Sequence, residues 1–404
     1  MTDEMDRKSN IYQRVIDTLN GKKSDRIPFI DRLELWYTSH SRAGTLPNEF
    51  KKPQMSLTEV HRAVGIGQEL MVPAFNRKLW GVELVITLNG EPYYREKDPV
   101  LEDFPRFNDI IPMDKPGTSK AEFITPHGKL TTQDRLLPNM VASGTTPYME
   151  EHILKEQEDF KTFKYIIENS EFIPQNESLR EKQEAMGDIG FVVPMLSRSP
   201  FQQILINCVG EIPLFHMLHD SPGYVDKLLA LLDERYLEDI QNLTELDWPY
   251  VEFDDNLDGT MTNPYLFEKY SLPYYQKYTD LLHAQGKKVG SHTDGNIKSL
   301  LGLLAESGLD VCESFTPAPV TECTLAEALE AWKDNGPNVW GGIPSPLLEE
   351  RVSEEEFREF IELTLETLNG HPIILGIGDM VMGNNLIERV KYIAEKVEQH
   401  TNSQ

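Results

Sequence analysis

The chain has 404 residues, 39% of them hydrophobic and 9% aromatic, which is enough to bury the core of a large enzyme. Its 39 Lys and Arg residues stand against 66 Asp and Glu residues, and the formal charge of −27 excludes a broad surface for nucleic acid or anionic lipid. Three scattered cysteines rule out a disulfide framework, and the acidic N-terminus and the lack of a long apolar run predict neither a secretion signal nor a membrane span. We therefore expect a cytoplasmic protein.

The first half of the chain predicts a helix, a strand and a mixed insertion. Apolar residues recur at helical spacing from Ser9, an N-cap candidate, to Asn20, and the run 26–31 follows as a short strand. Between residues 76 and 135, β-prone pieces separated by Asn-Gly, Asp-Pro and His-Gly turns are typical of antiparallel hairpins. Residues 150–187 mix charged and apolar residues at spacings of three and four, which predicts exposed helices.

From residue 190 onward, buried strands alternate with helical segments long enough to cross over a parallel sheet. The strand candidates are Phe191–Met195, Tyr250–Asp254, Lys288–Ser291, Asp310–Glu313, Asn338–Gly342 and Ile373–Gly376. With the strand at 26–31 and an eighth near Leu70–Pro73 or inside the insertion, they favour an α/β protein with a closed (β/α)8 TIM barrel. We expect a single domain over residues 1–404, with 76–187 as a β-rich and then helical insertion.

Nucleotide binding through the common glycine-rich motifs is excluded. No strand is followed by G-x-G-x-x-G or by a phosphate loop ending in Gly-Lys-Ser or Gly-Lys-Thr.

Polar residues gather where the predicted barrel strands end, and in such barrels these ends converge on one cavity. The residues at these positions are Glu252, Asp254, Asp255, His292, Asp294, Glu313 and Asp379. His292 and Asp294 are two residues apart on extended chain, so they point the same way and could bind one cation. With Glu313 or Asp379 they would give one nitrogen and two or three oxygens, a set that suits Zn²⁺ with an open position.

Ordinary structural roles remain open for several of these residues. A His-x-Asp pair after a strand can cap a helix, and Asp254 and Asp255 can serve as cap and turn residues. Cys312 precedes Glu313, and strand alternation predicts that its side chain faces the helices, with a ligand role as the less favoured alternative.

Several segments together resemble the uroporphyrinogen decarboxylase superfamily, whose members share a (β/α)8 barrel. They are Asn10–Arg14, Leu19–Gly21, Asp25–Pro28, Gly187–Asp188, Ser199–Phe201, Val209–Gly210, the strand with Glu252 and Asp254, His292–Gly295 and Ile374–Asp379. The resemblance implies one of two chemistries, porphyrinogen decarboxylation without a cofactor or zinc-dependent methyl transfer to or from a corrinoid.

The same resemblance favours methyl transfer. The Arg-rich segment with which the decarboxylases bind a substrate with eight carboxylates is replaced here by 31–37, which has one arginine. The corrinoid methyltransferases hold zinc with a His-x-Cys pair and a later Cys, and the matching residues here are His292, Asp294 and Asp379. Oxygen ligands in place of thiolates leave more positive charge on the ion, which suits activation of an ether oxygen.

The resemblance thus implies an enzyme that moves a methyl group from a methylated substrate, an aryl methyl ether, to the Co(I) corrinoid of a separate protein. Zn²⁺ and a partner-borne cobalamin are the expected cofactors, because the chain has no Asp-x-His-x-x-Gly segment of a corrinoid-binding domain. We expect Glu252, Asp254 and Glu313 to be catalytic. The expected substrate-binding residues are Trp36, Tyr37, Arg198, Phe201 and Trp340. A decarboxylase, or a methyltransferase acting from a methylcorrinoid toward an acceptor, is the alternative.

Overall fold

Eight parallel strands form the central sheet of the protein. The computed structural model describes residues 10–51, 55–368 and 371–402. The strands lie in chain order, with each one hydrogen-bonded to the next. They are β1 (Ile30–Asp31), β2 (Gly67–Pro73), β3 (Gly190–Leu196), β4 (Tyr250–Phe253), β5 (Lys288–His292), β6 (Val311–Phe315), β7 (Asn338–Pro344) and β8 (Ile374–Gly378).

A parallel bridge between Phe29 and Leu375 joins the two ends of the sheet, and the Leu375 N–H donates to the Pro28 carbonyl at 2.9 Å. This contact brings β1 against β8, so the predicted TIM barrel is confirmed. The eighth strand is the candidate near Leu70–Pro73, and β2 begins three residues before it.

Helices surround the barrel. The α-helices are Ile11–Leu19, Glu34–Ala43, Leu57–Val64, Pro138–Ser143, Phe160–Glu168, Asn176–Met186, Pro200–Gln202, Glu211–Asp220, Pro222–Asn242, Pro264–Tyr270, Leu272–Ala284, Leu301–Ala305, Leu325–Trp332, Glu354–Thr367 and Ile387–Asn402. The stretch 265–285 has a helical period throughout but forms two helices that meet at Ser271. Pro273 explains the break, because proline lacks an N–H and suits the first turn of a helix.

Two small antiparallel sheets lie outside the barrel, as the hairpin turns predict. One has five strands in the order Glu91–Lys97, Glu83–Leu88, Gly117–Thr125, Gly128–Leu136, Tyr148–Glu151. The other has three, in the order Ser170–Pro174, Phe75–Leu79, Val100–Leu101. The stretch 150–187 is therefore not wholly helical, since Ser170–Pro174 pairs with Phe75–Leu79.

An apolar layer fills the amino-terminal end of the barrel. The helix Ile11–Leu19, capped by the Asn10 side chain, packs Val15 and Leu19 against this layer. The cap candidate Ser9 lies outside the described residues. The largest side chains of the layer are Phe191, Tyr250 and Trp340, whose ring centroids lie 5.9 to 6.2 Å apart. We call these three rings the aromatic floor.

Among the described residues, no helix combines the length and the apolar composition needed to cross a bilayer.

The aromatic floor should be a main source of stability. Trp340 is 1% exposed and contacts both other rings. We expect Trp340→Ala to lower the free energy of unfolding by about 3–5 kcal/mol, measured by urea denaturation, because it leaves a large cavity in the barrel. Trp80→Ala is the control, since Trp80 is 44% exposed. Equal losses in the two variants would contradict a structural role for Trp340.

Candidate functional site

Charged side chains lie directly above the aromatic floor. Successive residues of a strand face opposite sides, so the residue two positions after an inward-facing one also points into the barrel. Glu252 follows Tyr250 in this way, and Glu313 follows Val311, whose side chain lies in the same apolar layer. We call the group Arg32, Glu69, Glu252, His292 and Glu313, with Asp294 and Asp379 at its rim, the acidic chamber.

His292, the last residue of β5, is fixed at one ring nitrogen. Its Nδ1 makes a short hydrogen bond with Glu313 Oε2, because β5 and β6 pair with His292 directly opposite Glu313. Its Nε2 lies 3.9 Å from Asp294 Oδ2. Burial lowers the pKa of His292, but the charges of Glu313 and Asp294 outweigh burial, and the pKa lies above its ordinary value.

Glu252 is fully buried beside this pair. Its Oε2 accepts a hydrogen bond from the Tyr250 hydroxyl at 2.6 Å, whereas its Oε1 has no hydrogen-bond partner. Burial and the charges of Glu313 and Glu69 raise the pKa of Glu252 well above its usual range. Burial and the neighbouring carboxyl groups therefore favour the protonated form of Glu252 over the ionised form.

Asp379 lies at the rim just after β8, in a left-handed backbone conformation. Its φ is 65° and that of Ser314 is 60°, and the Asp379 N–H donates to Ser314 Oγ at 2.6 Å. Arg32 donates to the Asp379 carbonyl at 2.6 Å and lies 3.7 Å from its carboxylate. Burial raises the pKa of Asp379, while the charges of Arg32 and His292 lower it. Such strained residues mark a rim whose shape is strongly constrained.

Two chamber residues were missed by the sequence analysis. Glu69 is 3% exposed and its Oε1 has no hydrogen-bond partner. It lies in the part of β2 that precedes the predicted strand, so no strand end pointed to it. Arg32 directly follows β1, and the rule that polar residues at strand ends meet could have found it.

The side chains after β3 and β4 have separate roles. Arg198 lies 3.1 Å from the Asp254 carboxylate and donates to the Asn256 side chain at 2.8 Å. Asp255 is fully buried and accepts hydrogen bonds from the Ser199 N–H and the Tyr275 hydroxyl. Asp255 therefore joins two segments of the fold, and Asp254 lies at the rim, paired with the mostly buried Arg198.

The aromatic residues expected to bind substrate are packed in the protein. Trp36 lies against Phe50, and Phe201 stacks on Tyr270 with 7° between the rings. Trp340 belongs to the aromatic floor, and the half-buried Tyr37 donates to the Met55 carbonyl at 3.4 Å. A substrate-wall role for these four rings stays a prediction, and the structure gives each a packing contact.

The donor atoms of the chamber fit a divalent cation. Glu252, His292 and Glu313 each offer one ligand atom, and these atoms lie within 4.8 Å of one another. Of the three predicted ligands, His292 alone belongs to this close group, and Asp294 and Asp379 lie at the rim, with side chains 29% and 45% exposed. One imidazole with several carboxylates matches the ligands of zinc and of other divalent ions.

Cysteine takes no part in this ligand set. Cys312 precedes Glu313 on β6 and faces the helices, where it joins the outer core. Burial raises the pKa of its thiol, so it is not a thiolate at neutral pH.

Comparisons with known proteins bear on this site. The family model described as uroporphyrinogen decarboxylase (URO-D) matches residues 139–400, more than half of the chain. The comparison with curated proteins gives no match.

Two solved structures resemble the fold. A methyltransferase from Methanosarcina mazei aligns over 97% of this chain and 99% of that one, with 12% identity and a TM-score of 0.57, which shows a shared fold. A Listeria monocytogenes protein, provisionally named a vitamin-B12 independent methionine synthase, aligns over 57% of this chain and 69% of that one. Its identity is 16%, and its TM-score of 0.32 carries no argument.

Glu313 should control how His292 binds an ion. A carboxylate on one ring nitrogen holds the other nitrogen ready as a ligand. We expect Glu313→Ala to weaken Zn²⁺ affinity about 10- to 100-fold, measured by competition with a chelator, and Glu313→Gln to recover part of the loss because it keeps an acceptor. The exposed Glu268 gives the control Glu268→Ala. An unchanged affinity in Glu313→Ala would contradict this role.

The ion-free protein should lose stability as the pH rises. Burial raises the pKa of Asp31 to about 8, although the N–H groups of Ile377 and Arg32 oppose the shift. The unfolded chain releases this proton near the ordinary pKa of 3.8 and the folded chain near a pKa of about 8. The stabilisation is thus complete below about pH 4 and is lost between about pH 4 and 8, by up to about 1.4 kcal/mol per pH unit.

Urea denaturation from pH 5 to 9 tests this dependence. Asp31→Asn should flatten the profile, and the exposed Asp280→Asn should leave it unchanged. If the free energy of unfolding depends on pH in the same way in the wild type and in Asp31→Asn, Asp31 does not cause the pH dependence.

Proposed function

This chain belongs to the uroporphyrinogen decarboxylase family, and on that premise we propose that it is a methyltransferase of that family. It moves a methyl group from a methylated substrate, an aryl methyl ether, to the Co(I) corrinoid of a separate corrinoid protein. The observation that carries the proposal is the acidic chamber, in which imidazole and carboxylates converge at the carboxyl ends of the barrel strands.

The charge of the chamber supports this choice over decarboxylation. Five carboxyl groups, on Glu69, Glu252, Asp294, Glu313 and Asp379, surround Arg32 and His292, and the pKa values of Glu69 and Glu252 are raised because negative charge is costly there. A porphyrinogen with eight carboxylates would bring further negative charge into this site, where like charges cost more than they do in water. A cation together with an uncharged or cationic substrate is the natural occupant.

We propose that the His292 Nε2, Asp294 and Asp379 hold the ion, because they line the solvent side of the chamber. Bound there, a divalent ion supplies Lewis acidity that makes an ether oxygen a better leaving group. Glu313 orients the imidazole through its hydrogen bond with Nδ1, which leaves Nε2 for the ion. Arg32 holds Asp379 through its backbone carbonyl.

Glu252 is the proposed acid for the departing oxygen. The Tyr250 hydroxyl donates to Oε2, which leaves Oε1 as the atom that carries the proton. Because the raised pKa favours the protonated form of Glu252, that proton can pass to an oxygen on which negative charge develops. Asp254 stays a candidate catalytic residue at the rim.

A pair of histidine variants tests the proposal. We expect His292→Ala to lower Zn²⁺ affinity by more than about 100-fold and to abolish methyl transfer from methoxylated aromatics to cob(I)alamin, because the ion loses its nitrogen ligand. The measurements are metal content by mass spectrometry and the absorbance change of the corrinoid. Circular dichroism should show an intact fold.

His216→Ala is the matched control, because His216 is exposed on the helix Glu211–Asp220. It should bind zinc and transfer methyl groups like the wild type. Full activity in His292→Ala would refute the assignment of the site, and porphyrinogen decarboxylation in the presence of chelator would refute the proposed function.

A further inference from the structure

A cleft opens at the carboxyl ends of β2, β3 and β4, beside the acidic chamber. Its apolar wall includes Met71, Pro73, Phe75, Met195 and Leu196. Met71 links the two cavities, because its sulfur lies 3.2 Å from Nη1 of Arg32, whose Nη2 reaches the Asp379 carbonyl. A molecule lying against Met71 is therefore one side chain away from the rim of the chamber.

The polar side of the cleft is acidic. Glu102, Asp103 and Asp254 contribute carboxylates to its lining. Burial and the charge of Asp254 together raise the pKa of Asp103 to about 6, although the charges of nearby arginines oppose the shift. The charge of Asp254 thus acts on Asp103 across the cleft.

The arginines near the cleft are already engaged with other groups. Arg198 binds Asp254 and Asn256, Arg106 donates to the Asn207 side chain at 3.1 Å, and Arg77 donates to Asp239 at 2.6 Å. Their charges act on Asp103 but do not offset its burial. A bound carboxylate would need a cationic partner, and two of these guanidinium groups, those of Arg198 and Arg77, are already paired with the carboxylates of Asp254 and Asp239.

We propose that this cleft binds the methyl donor and that the donor is an uncharged methoxyphenol rather than a methoxybenzoate. This inference rests on the proposed function and specifies its substrate class. The aromatic ring lies against the methionine, proline and phenylalanine side chains, and the phenolic O–H donates to the carboxylate of Asp103. A carboxylate on the ring would instead face Glu102, Asp103 and Asp254 in a site of low dielectric.

Asp103 is thus a specificity-determining residue. Its carboxylate accepts a hydrogen bond from a ligand O–H and repels an anionic ligand. Replacing Asp103 with the uncharged asparagine should therefore weaken both effects. For Asp103→Asn we expect a smaller ratio between the affinity for a methoxyphenol and the affinity for a methoxybenzoate. A general loss of structure would not change this ratio.

Equilibrium binding tests the inference without any methyl transfer. Isothermal titration of the zinc-loaded and the ion-free protein would use 2-methoxyphenol, 2-methoxybenzoate and tetramethylammonium at pH 7.5. We expect 2-methoxyphenol to bind at least about tenfold more tightly than 2-methoxybenzoate, because the latter brings a fourth carboxylate to the cleft. Asp103→Asn should reduce this ratio severalfold, and the exposed Asp280→Asn should leave it unchanged.

Each outcome decides the matter. Tighter binding of 2-methoxybenzoate, or an Asp103→Asn variant with the wild-type ratio, overturns the inference. Tighter binding of tetramethylammonium than of 2-methoxyphenol also overturns the inference, because it would show that the acidic side of the cleft binds a cation. Selective binding of 2-methoxyphenol without methyl transfer to cob(I)alamin would support the cleft assignment and refute the proposed function, so the two failures are distinguishable.

Discussion

The contact between His292 and Glu313 is the interaction on which the site depends. It joins two neighbouring strands through side chains that face each other across the β5–β6 register. Because the carboxylate occupies Nδ1, the ring keeps one orientation and turns Nε2 toward Asp294. A shift of either strand by one residue would point one partner into the helices, so the geometry of the barrel and the chemistry of the site are linked.

The barrel interior has two layers of opposite character. Near the amino-terminal end, Phe191, Tyr250 and Trp340 pack against one another, and above them lie Glu69, Glu252 and Glu313. Tyr250 connects the layers, since its ring belongs to the floor and its hydroxyl hydrogen-bonds Glu252. Carboxylates held this closely in a buried space either keep protons or attract a cation, which is why raised pKa values and a metal-compatible donor set occur in the same place.

The sequence predicts much of this arrangement, but not all of it. Buried parallel strands appear as short apolar runs between crossover helices, so seven strands were found close to their observed positions, and the polar residues at their ends converge as expected. Glu69 was missed because the predicted strand began after it. Trp340 shows a different limit. Its type suits a substrate wall as well as a core, and only its depth along β7, level with Tyr250 and Phe191, assigns it to the floor.

The helix Ile11–Leu19 covers the amino-terminal end of the barrel, where Val15 and Leu19 complete the apolar layer. The chamber therefore communicates with the outside through its carboxyl-end mouth. In the proposed reaction, a donor molecule and a bulky acceptor protein would share this mouth and could not enter side by side. The small reactant would then have to bind before the large one, and the product would leave only after the large one had withdrawn. Under the proposed function, the closed end of the barrel therefore implies an ordered catalytic cycle.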